Sequence, residues 1–376
     1  MQTVHPCIIL GSYALDADRL PEDEFKIRLD QAREGMEQAG LDALLVYGDA
    51  RDHGALAYLT NFIPRMRWAL ALLPLRGEPR LLCSVSSRDV PAMKTMTWIE
   101  DVYSGWEWKW FGDWVGRVRG DGASRFGAVG FDLMPAGLLG DIRRDLGETA
   151  EIVEAGHVLG RSLETRRPRE LMLIRSAAQI VNECAAIFVR GQRDGKPFET
   201  AALEAEGHAR RQAAQDVRTL VSFDGGRNLE PFRGEFDATG TSATCYIAIK
   251  YMGFWTDAFI SVGADQTKAI PVSAALRSLI DETKPGVRFD ALHSLAAGHL
   301  GSLELHPVIQ GSFGHAIGLS PSVGPGIRAG ETAEITAGAI YSLQVGTRDL
   351  DGGCLASALV LARPDGAEVL ALSVPQ

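Results

Sequence analysis

The hydrophobic period changes at Gly40, and that change constrains the fold more than any other feature. From Pro21 to Ala39 the apolar residues Phe25, Leu29, Ala32, Met36 and Ala39 recur at alternating spacings of 4 and 3, which predicts a helix with one buried face. Gly40 stands where a left-handed residue would end it. Leu41 to Tyr47 then forms a compact apolar run suited to a buried strand. Trp68 to Leu75 and Arg80 to Cys83 flank Arg76-Gly77-Glu78-Pro79, which predicts a hairpin. Strand-like runs such as Gly127 to Phe131 alternate with helical patterns up to about Gly160. Such alternation predicts an α/β N-terminal domain.

The chain has 376 residues, and at about 150 residues per domain that length suggests two domains. We place them at 1–160 and 161–376. With 46% hydrophobic and 23% charged residues, the composition is that of a globular protein and argues against extended disorder. The 38 basic residues against 48 acidic ones give a net charge of -10, which repels phosphate backbones and anionic lipid surfaces. Neither nucleic acid nor membrane is an expected partner. Five scattered cysteines without CxxC spacing (Cys7, Cys83, Cys184, Cys245, Cys354) predict buried thiols rather than a disulfide framework or a zinc ribbon. The run Cys7 to Leu10 is too short for a signal segment, and no stretch approaches the roughly 20 apolar residues of a membrane span. The expected setting is cytoplasmic.

Five of the seven tryptophans lie between Trp98 and Trp114. They suit either an aromatic wall or packing within the domain or against a partner subunit. Further along, Pro168 suits the first turn of a helix with an apolar stripe at Leu171, Ile174, Ala178, Val181, Ala185 and Phe188. A second helix is expected from Phe198 to about Gln212. From Thr219 onward β-rich runs dominate, interrupted by helices at Val272 to Glu282 and Phe289 to Leu300. The C-terminal half therefore reads as α+β.

Several segments occur in an order that carries a family resemblance. Leu163 to Leu171 leads into the first helix of the second domain. Tyr246 to Asp257 is similar to a paired-aspartate hairpin, D-x-G-x-x-Y-x-G-Y-x-x-D. Gly314 to Leu319 resembles GHGIGL, Gly338 to Gly346 resembles GMVFSIEPG, and Gly352 to Val360 resembles GVRIEDTVLV. Tyr58 to Phe62, read as a strand, resembles YLTGF. In this order the segments resemble the creatinase/aminopeptidase P/methionine aminopeptidase family, peptidase family M24, over nearly the whole chain. The resemblance implies a creatinase-like N-terminal domain and a pita-bread C-terminal domain.

In the hydrolytic members of that family two Asp, one His and two Glu hold two divalent metals, and a bridging water becomes acidic enough to attack a carbonyl. The resemblance places those positions at Tyr246, Asp257, His315, Gln344 and Ala356. Two of the five ligand types survive. A neutral amide offers a divalent ion no charge, and Ala356 offers no donor atom. The two-metal site is therefore expected to be absent, and no cofactor is expected. A single iron on Tyr246, Asp257 and His315 is an alternative, since tyrosinate suits ferric iron. The peptidase histidines fall at Ser322 and Phe232, so proline-specific proton transfer loses its residues as well.

What remains is a different polar set. We expect His315 and Asp257 to form an acid–base pair in which the carboxylate orients the imidazole; a buried relic pair is the alternative. Tyr246 and Gln344 could hold a developing oxyanion or simply pack. Phe232, Glu230 and Arg348 are expected at the substrate site. By resemblance to the creatinase branch, Arg65 or Arg67 would reach a partner subunit's site and clamp a substrate carboxylate, which implies a homodimer. The expected function is metal-independent C–N hydrolysis of a small, polar, carboxylate-bearing substrate. A non-catalytic ligand- or protein-binding member of the fold is the second reading, and an iron lyase the third.

Overall fold

The computed structural model describes residues 13–118, 124–234 and 236–376, so Cys7 and the run up to Leu10 lie outside the described residues. The chain divides into two compact units, one ending at Leu163 and one beginning at Glu164. Their folds match the two expected classes, α/β followed by α+β.

The first unit is built from helices α1 (Glu22–Ala39), α2 (Gly54–Thr60), α3 (Lys109–Val118), α4 (Ala136–Leu146) and α5 (His157–Glu164) around a sheet. Its strands are β1 (Ala43–Asp49), β2 (Trp68–Pro74), β3 (Arg80–Cys83), β4 (Asp101–Ser104), β5 (Arg125–Val129) and β6 (Glu151–Glu154). The strand order is β4-β3-β2-β1-β5-β6. Strand β2 is antiparallel to both β1 and β3, whereas β1–β5, β5–β6 and β3–β4 are parallel. Every residue of β1 is buried, as its unbroken apolar run requires. Gly40 ends α1 at φ 63°, its N–H reaching the carbonyls of Glu37 and Met36.

One element differs in kind from the sequence expectation. Tyr58 to Phe62 is not a strand, because Tyr58 to Thr60 close helix α2 and Asn61 caps it at φ 62°. Periodicity cannot separate helix from strand over five residues. Here the Thr60 hydroxyl bonds the Leu56 carbonyl one turn back (2.7 Å), and Asn61 tolerates the left-handed conformation. The tryptophans mostly pack inside this unit. Trp98 stacks on Phe25 and donates to the Leu59 carbonyl (2.8 Å). Trp108 stacks on Phe111 and Trp110 on Tyr103. Trp106 stays exposed, with the Arg67 guanidinium 5.2 Å from its ring centre.

The second unit opens on α6 (Pro168–Arg193) and α7 (Phe198–Arg211), continues through β7 (Asp216–Val221), β8 (Ala243–Tyr251) and β9 (Phe254–Val262), and then α8 (Gln266–Glu282) and α9 (Phe289–Leu300). It closes with β10 (Gly314–Ala316), β11 (Val323–Gly326), β12 (Ile340–Asp349), β13 (Gly352–Arg363) and β14 (Gly366–Ser373). Pro168 occupies the first turn of α6, and the Glu170 carboxylate returns to the Arg167 N–H (2.8 Å). By length and composition α6 is the one described helix that could cross a membrane, despite Arg175, Asn182 and Glu183 within it. Yet its apolar stripe, including Ile174, Ala178, Val181 and Phe188, is buried within the unit, as expected of a core helix. Helix α8 begins at Gln266, ahead of the expected Val272, because Asp265 caps it by accepting from the Thr267 N–H (2.9 Å).

Two sheets, β7-β8-β9 and β11-β10-β12-β13-β14, are stitched by serines. The Phe259 N–H donates to Ser357 (2.9 Å) and the Leu355 N–H to Ser261 (3.0 Å). Between them, two glycine pairs interlock. The Gly353 N–H donates to the Gly225 carbonyl (3.0 Å), and a Cβ on Gly226, at φ 88°, would lie 2.7 Å from the Gly353 carbonyl. A Cβ on Gly353 would overlap the Gly226 carbonyl outright. The loop after β7 is thus held against β13 at backbone contact. Gly353→Ala should destabilise the protein by about 2–3 kcal/mol through overpacking against backbone, read as a lower midpoint in urea denaturation.

Candidate functional site

The geometry starts from a two-residue turn. Met252 (φ 48°) and Gly253 (φ 85°) both adopt positive φ, as a tight hairpin matched to strand twist requires. The turn pairs Tyr251 with Phe254, hence Ala248 with Asp257 and Tyr246 with Phe259. Period-2 alternation then puts Tyr246, Ala248, Asp257 and Phe259 on one face. Across the unit, β12 carries Ser342 and Gln344 on one face, and His315 of β10 lies in register with Ser342.

Asp257 is the hub. It is buried at 4% exposure and accepts three side-chain hydrogen bonds. Ser342 donates to Oδ1 at 2.6 Å, while Tyr246 and the Gln344 amide donate to Oδ2 at 3.2 Å each. The second Gln344 N–H goes to Ser342 (3.2 Å). Burial, and then the Asp257 charge, push the Tyr246 phenol well above its ordinary range, so it stays a neutral donor. Ser342 was not anticipated. The available signal was its position two residues before Gln344 on the same strand face.

The expected His315–Asp257 pair is not formed. Nε2 of His315 instead bonds the carbonyl of Pro321 (3.1 Å), six residues on in the chain after β10. A carbonyl can only accept, so Nε2 carries the proton and Nδ1 the lone pair. The last ligand position also moves. Ala356 pairs with Val345 and lies in the apolar core, whereas Ser357 is the residue opposite Gln344. A shift of one residue on a strand changes face. Neither residue bears a carboxylate.

The remaining candidates make other contacts. Glu230 pairs with Arg233, and Phe232 is half-buried. Arg348 reaches Glu304 and Asn228, both at 3.3 Å. No hydrogen bond joins Glu230 or Arg348 to Asp257 among the described residues. Arg65 and Arg67 lie exposed in the first unit, Arg67 over Trp106. His306 has a structural task that its sequence position did not disclose. Nδ1 accepts from the Val308 N–H (3.2 Å) and Nε2 therefore donates to the Gly226 carbonyl (3.0 Å), holding the glycine loop.

Residues 28–162 match the model of the creatinase/prolidase N-terminal domain, and residues 172–360 match that of metallopeptidase family M24. The chain belongs to family M24. Among solved structures this M24 chain is similar to the X-Pro aminopeptidase of Thermotoga maritima MSB8 at 17% identity (TM-score 0.76, 91% of this chain and 97% of that one). It is also similar to dipeptidase PepE of Mycobacterium ulcerans at 19% identity (TM-score 0.73, 94% and 99%). A third likeness is to the N-terminal domain of the FACT complex subunit SPT16 from Cicer arietinum at 15% identity (TM-score 0.70, 93% and 96%). At these identities the likeness is one of fold. No curated protein matches the chain significantly. Family membership sets the coarse class as a peptidase-type hydrolase of the creatinase and prolidase kind.

The family's metals do not fit this M24 site. The donor set at the ligand positions is a neutral phenol, one carboxylate, one imidazole, an amide and an alanine. Asp257 already takes three protein hydrogen bonds where metal ions would bind it. Among the described residues no group of three or more His, Cys, Asp or Glu could hold a metal. The iron alternative needs Tyr246 as a tyrosinate, and in the metal-free site burial and the Asp257 charge hold it as the neutral phenol.

Asp257→Asn replaces a three-fold acceptor with an amide whose NH2 faces donors. It should cost about 2–4 kcal/mol of stability in urea denaturation. His306 supplies a pH signature. Burial lowers its pKa below the ordinary 6.5, so the unfolded chain takes up the proton first as pH falls. The stabilising difference is fully present above 6.5 and is lost below it. His306→Gln should therefore flatten the fall in stability between pH 6.5 and 5, by at most about 1.4 kcal/mol per pH unit. His293, also lowered by burial, leaves a residual slope.

Proposed function

We propose that this protein is a metal-independent hydrolase that cleaves a C–N bond in a small, polar, carboxylate-bearing substrate. The observation that carries this reading is the protein-donated hydrogen bonding of Asp257, which organises the polar centre at the family's ligand positions through neutral donors. His315 is the base. With Nε2 committed to the Pro321 carbonyl, Nδ1 is the nitrogen that takes a proton from the attacking water and returns it to the leaving amine. Asp257 acts as an organising carboxylate that aims Tyr246 and Gln344, and these two neutral donors transfer a hydrogen bond to the oxyanion as it develops. Arg65 or Arg67 of a second copy supplies the carboxylate clamp, so the working unit is a homodimer.

The second reading, a binding protein without turnover, is favoured by a specific observation. Both N–H groups of Gln344 and the Tyr246 hydroxyl are already spent within the cluster, and one neighbour of the same fold is named as a complex subunit rather than a peptidase.

Amine release from a panel of dipeptides and of N-carbamoyl and guanidino acids separates the two. A turned-over substrate should be consumed equally with and without EDTA, and His315→Gln should lower kcat by about 100-fold or more. Activity that appears only with added Mn2+, Zn2+ or Co2+ would overturn the metal-independent reading. Binding measured by calorimetry with no product from any compound would establish the second one.

A further inference from the structure

A guanidinium shares the Asp257 face and takes no part in the Asp257 cluster. Arg218 of β7 is in register with Ala248 of β8, and Ala248 with Asp257 of β9. The three form one cross-strand row whose side chains leave the same face of the sheet. Two strand spacings put the Arg218 and Asp257 backbones roughly 10 Å apart, and the residue between them in the row carries only a methyl group. The Arg218 charge is felt at the Tyr246 phenol, where it opposes the upward push of burial and of Asp257.

Trp255 fixes this side chain. It lies two residues before Asp257, on the same face and opposite Lys250. The Arg218 guanidinium stands 4.5 Å from its ring centre and the Lys250 ammonium 5.2 Å. The Trp255 N–H donates to the Gly318 carbonyl (2.8 Å), within the segment that runs from His315 to Pro321. A guanidinium held by its flat face keeps the N–H groups of its edge, and stacking removes side-chain freedom that a ligand would otherwise have to remove.

That edge is accessible. The Arg218 side chain is 59% exposed, and its Nε approaches Asp216 at 3.4 Å, an exposed contact of the weak kind that yields to a better acceptor. Its Nη groups make no hydrogen bond among the described residues. A carboxylate offers two oxygens to the guanidinium fork, whereas Asp216 and Asp257 on the same face disfavour a phosphate dianion. We infer that Arg218, stacked on Trp255, binds the carboxylate of the small molecule that occupies the Asp257 face. This rests on the carboxylate-bearing substrate of the proposed function and gives it a contact within the same chain, beside the one from a second copy.

The probes are benzoate, benzyl alcohol as its neutral counterpart and inorganic phosphate as the dianion. None has a C–N bond to cleave, so binding is read apart from turnover. By calorimetry on the full chain, benzoate should bind at least about tenfold more tightly than benzyl alcohol or phosphate, as expected of one charge-assisted hydrogen-bonded pair. Arg218→Met should weaken benzoate by about tenfold or more, and Arg218→Lys, which keeps the charge and loses the fork, should recover only part of that. The indole 15N–1H signal of Trp255, assigned by its absence in Trp255→Phe, should shift saturably with benzoate. Undetectable benzoate binding, equal binding of benzyl alcohol or phosphate, or unchanged benzoate affinity in Arg218→Met would overturn the inference while leaving the second copy's clamp and the hydrolase reading in place. Arg218-dependent binding without turnover of any compound in the substrate panel would sustain the inference and overturn the hydrolase reading alone. Should Trp255→Phe fail to fold, calorimetry with the three probes and the exposed Arg218 variants decides it.

Discussion

A single carboxylate organises the second unit's polar centre. Asp257 sits where water is largely excluded, and a buried carboxylate is tolerable only when its oxygens are met. Three side chains from two sheets meet them: Tyr246 beside it on β8, and Ser342 and Gln344 across on β12. The hydrogen bonds join the facing sheets at the point where the family elsewhere uses cations. In electrostatic terms the donor set is consistent, since neutral donors face one carboxylate where further carboxylates would call for positive ions to neutralise them.

Much of the fold was legible because it rests on local rules. The period change at Gly40, the glycine at φ 63° and the unbroken run of β1 are each written in a few adjacent residues. The order of motifs in the C-terminal half gave the second unit, and strand register did the rest. What failed was short or non-local. The five residues from Tyr58 to Phe62 did not carry enough period to reveal a helix, and the cap that decides it is a single asparagine.

The site was legible in composition but not in connectivity. Tyr246, Asp257 and Gln344 were named from the resemblance to the family's motifs and do meet. The partner of His315 was not, because the Pro321 carbonyl that captures it belongs to a turn whose path no side-chain pattern announces. Ser342 and Ser357 were missed for a related reason: a serine on a strand looks like filler until register shows which face it occupies. His306 bonds a carbonyl 80 residues earlier in the chain, a relation that only the folded topology creates.

The interlocked glycines have a consequence for how this protein can diverge. Gly225 and Gly226 meet Gly352 and Gly353 through main-chain atoms, and the Ser222 hydroxyl and Asp224 carboxylate accept from the Gly226 and Asn228 N–H groups, so the path from Ser222 to Asn228 is fixed without the side chains further along the loop. Position is thereby separated from identity. Glu230, Phe232 and Arg233 can be exchanged while the loop keeps its course, which lets selection alter what the loop presents without rebuilding the scaffold that presents it.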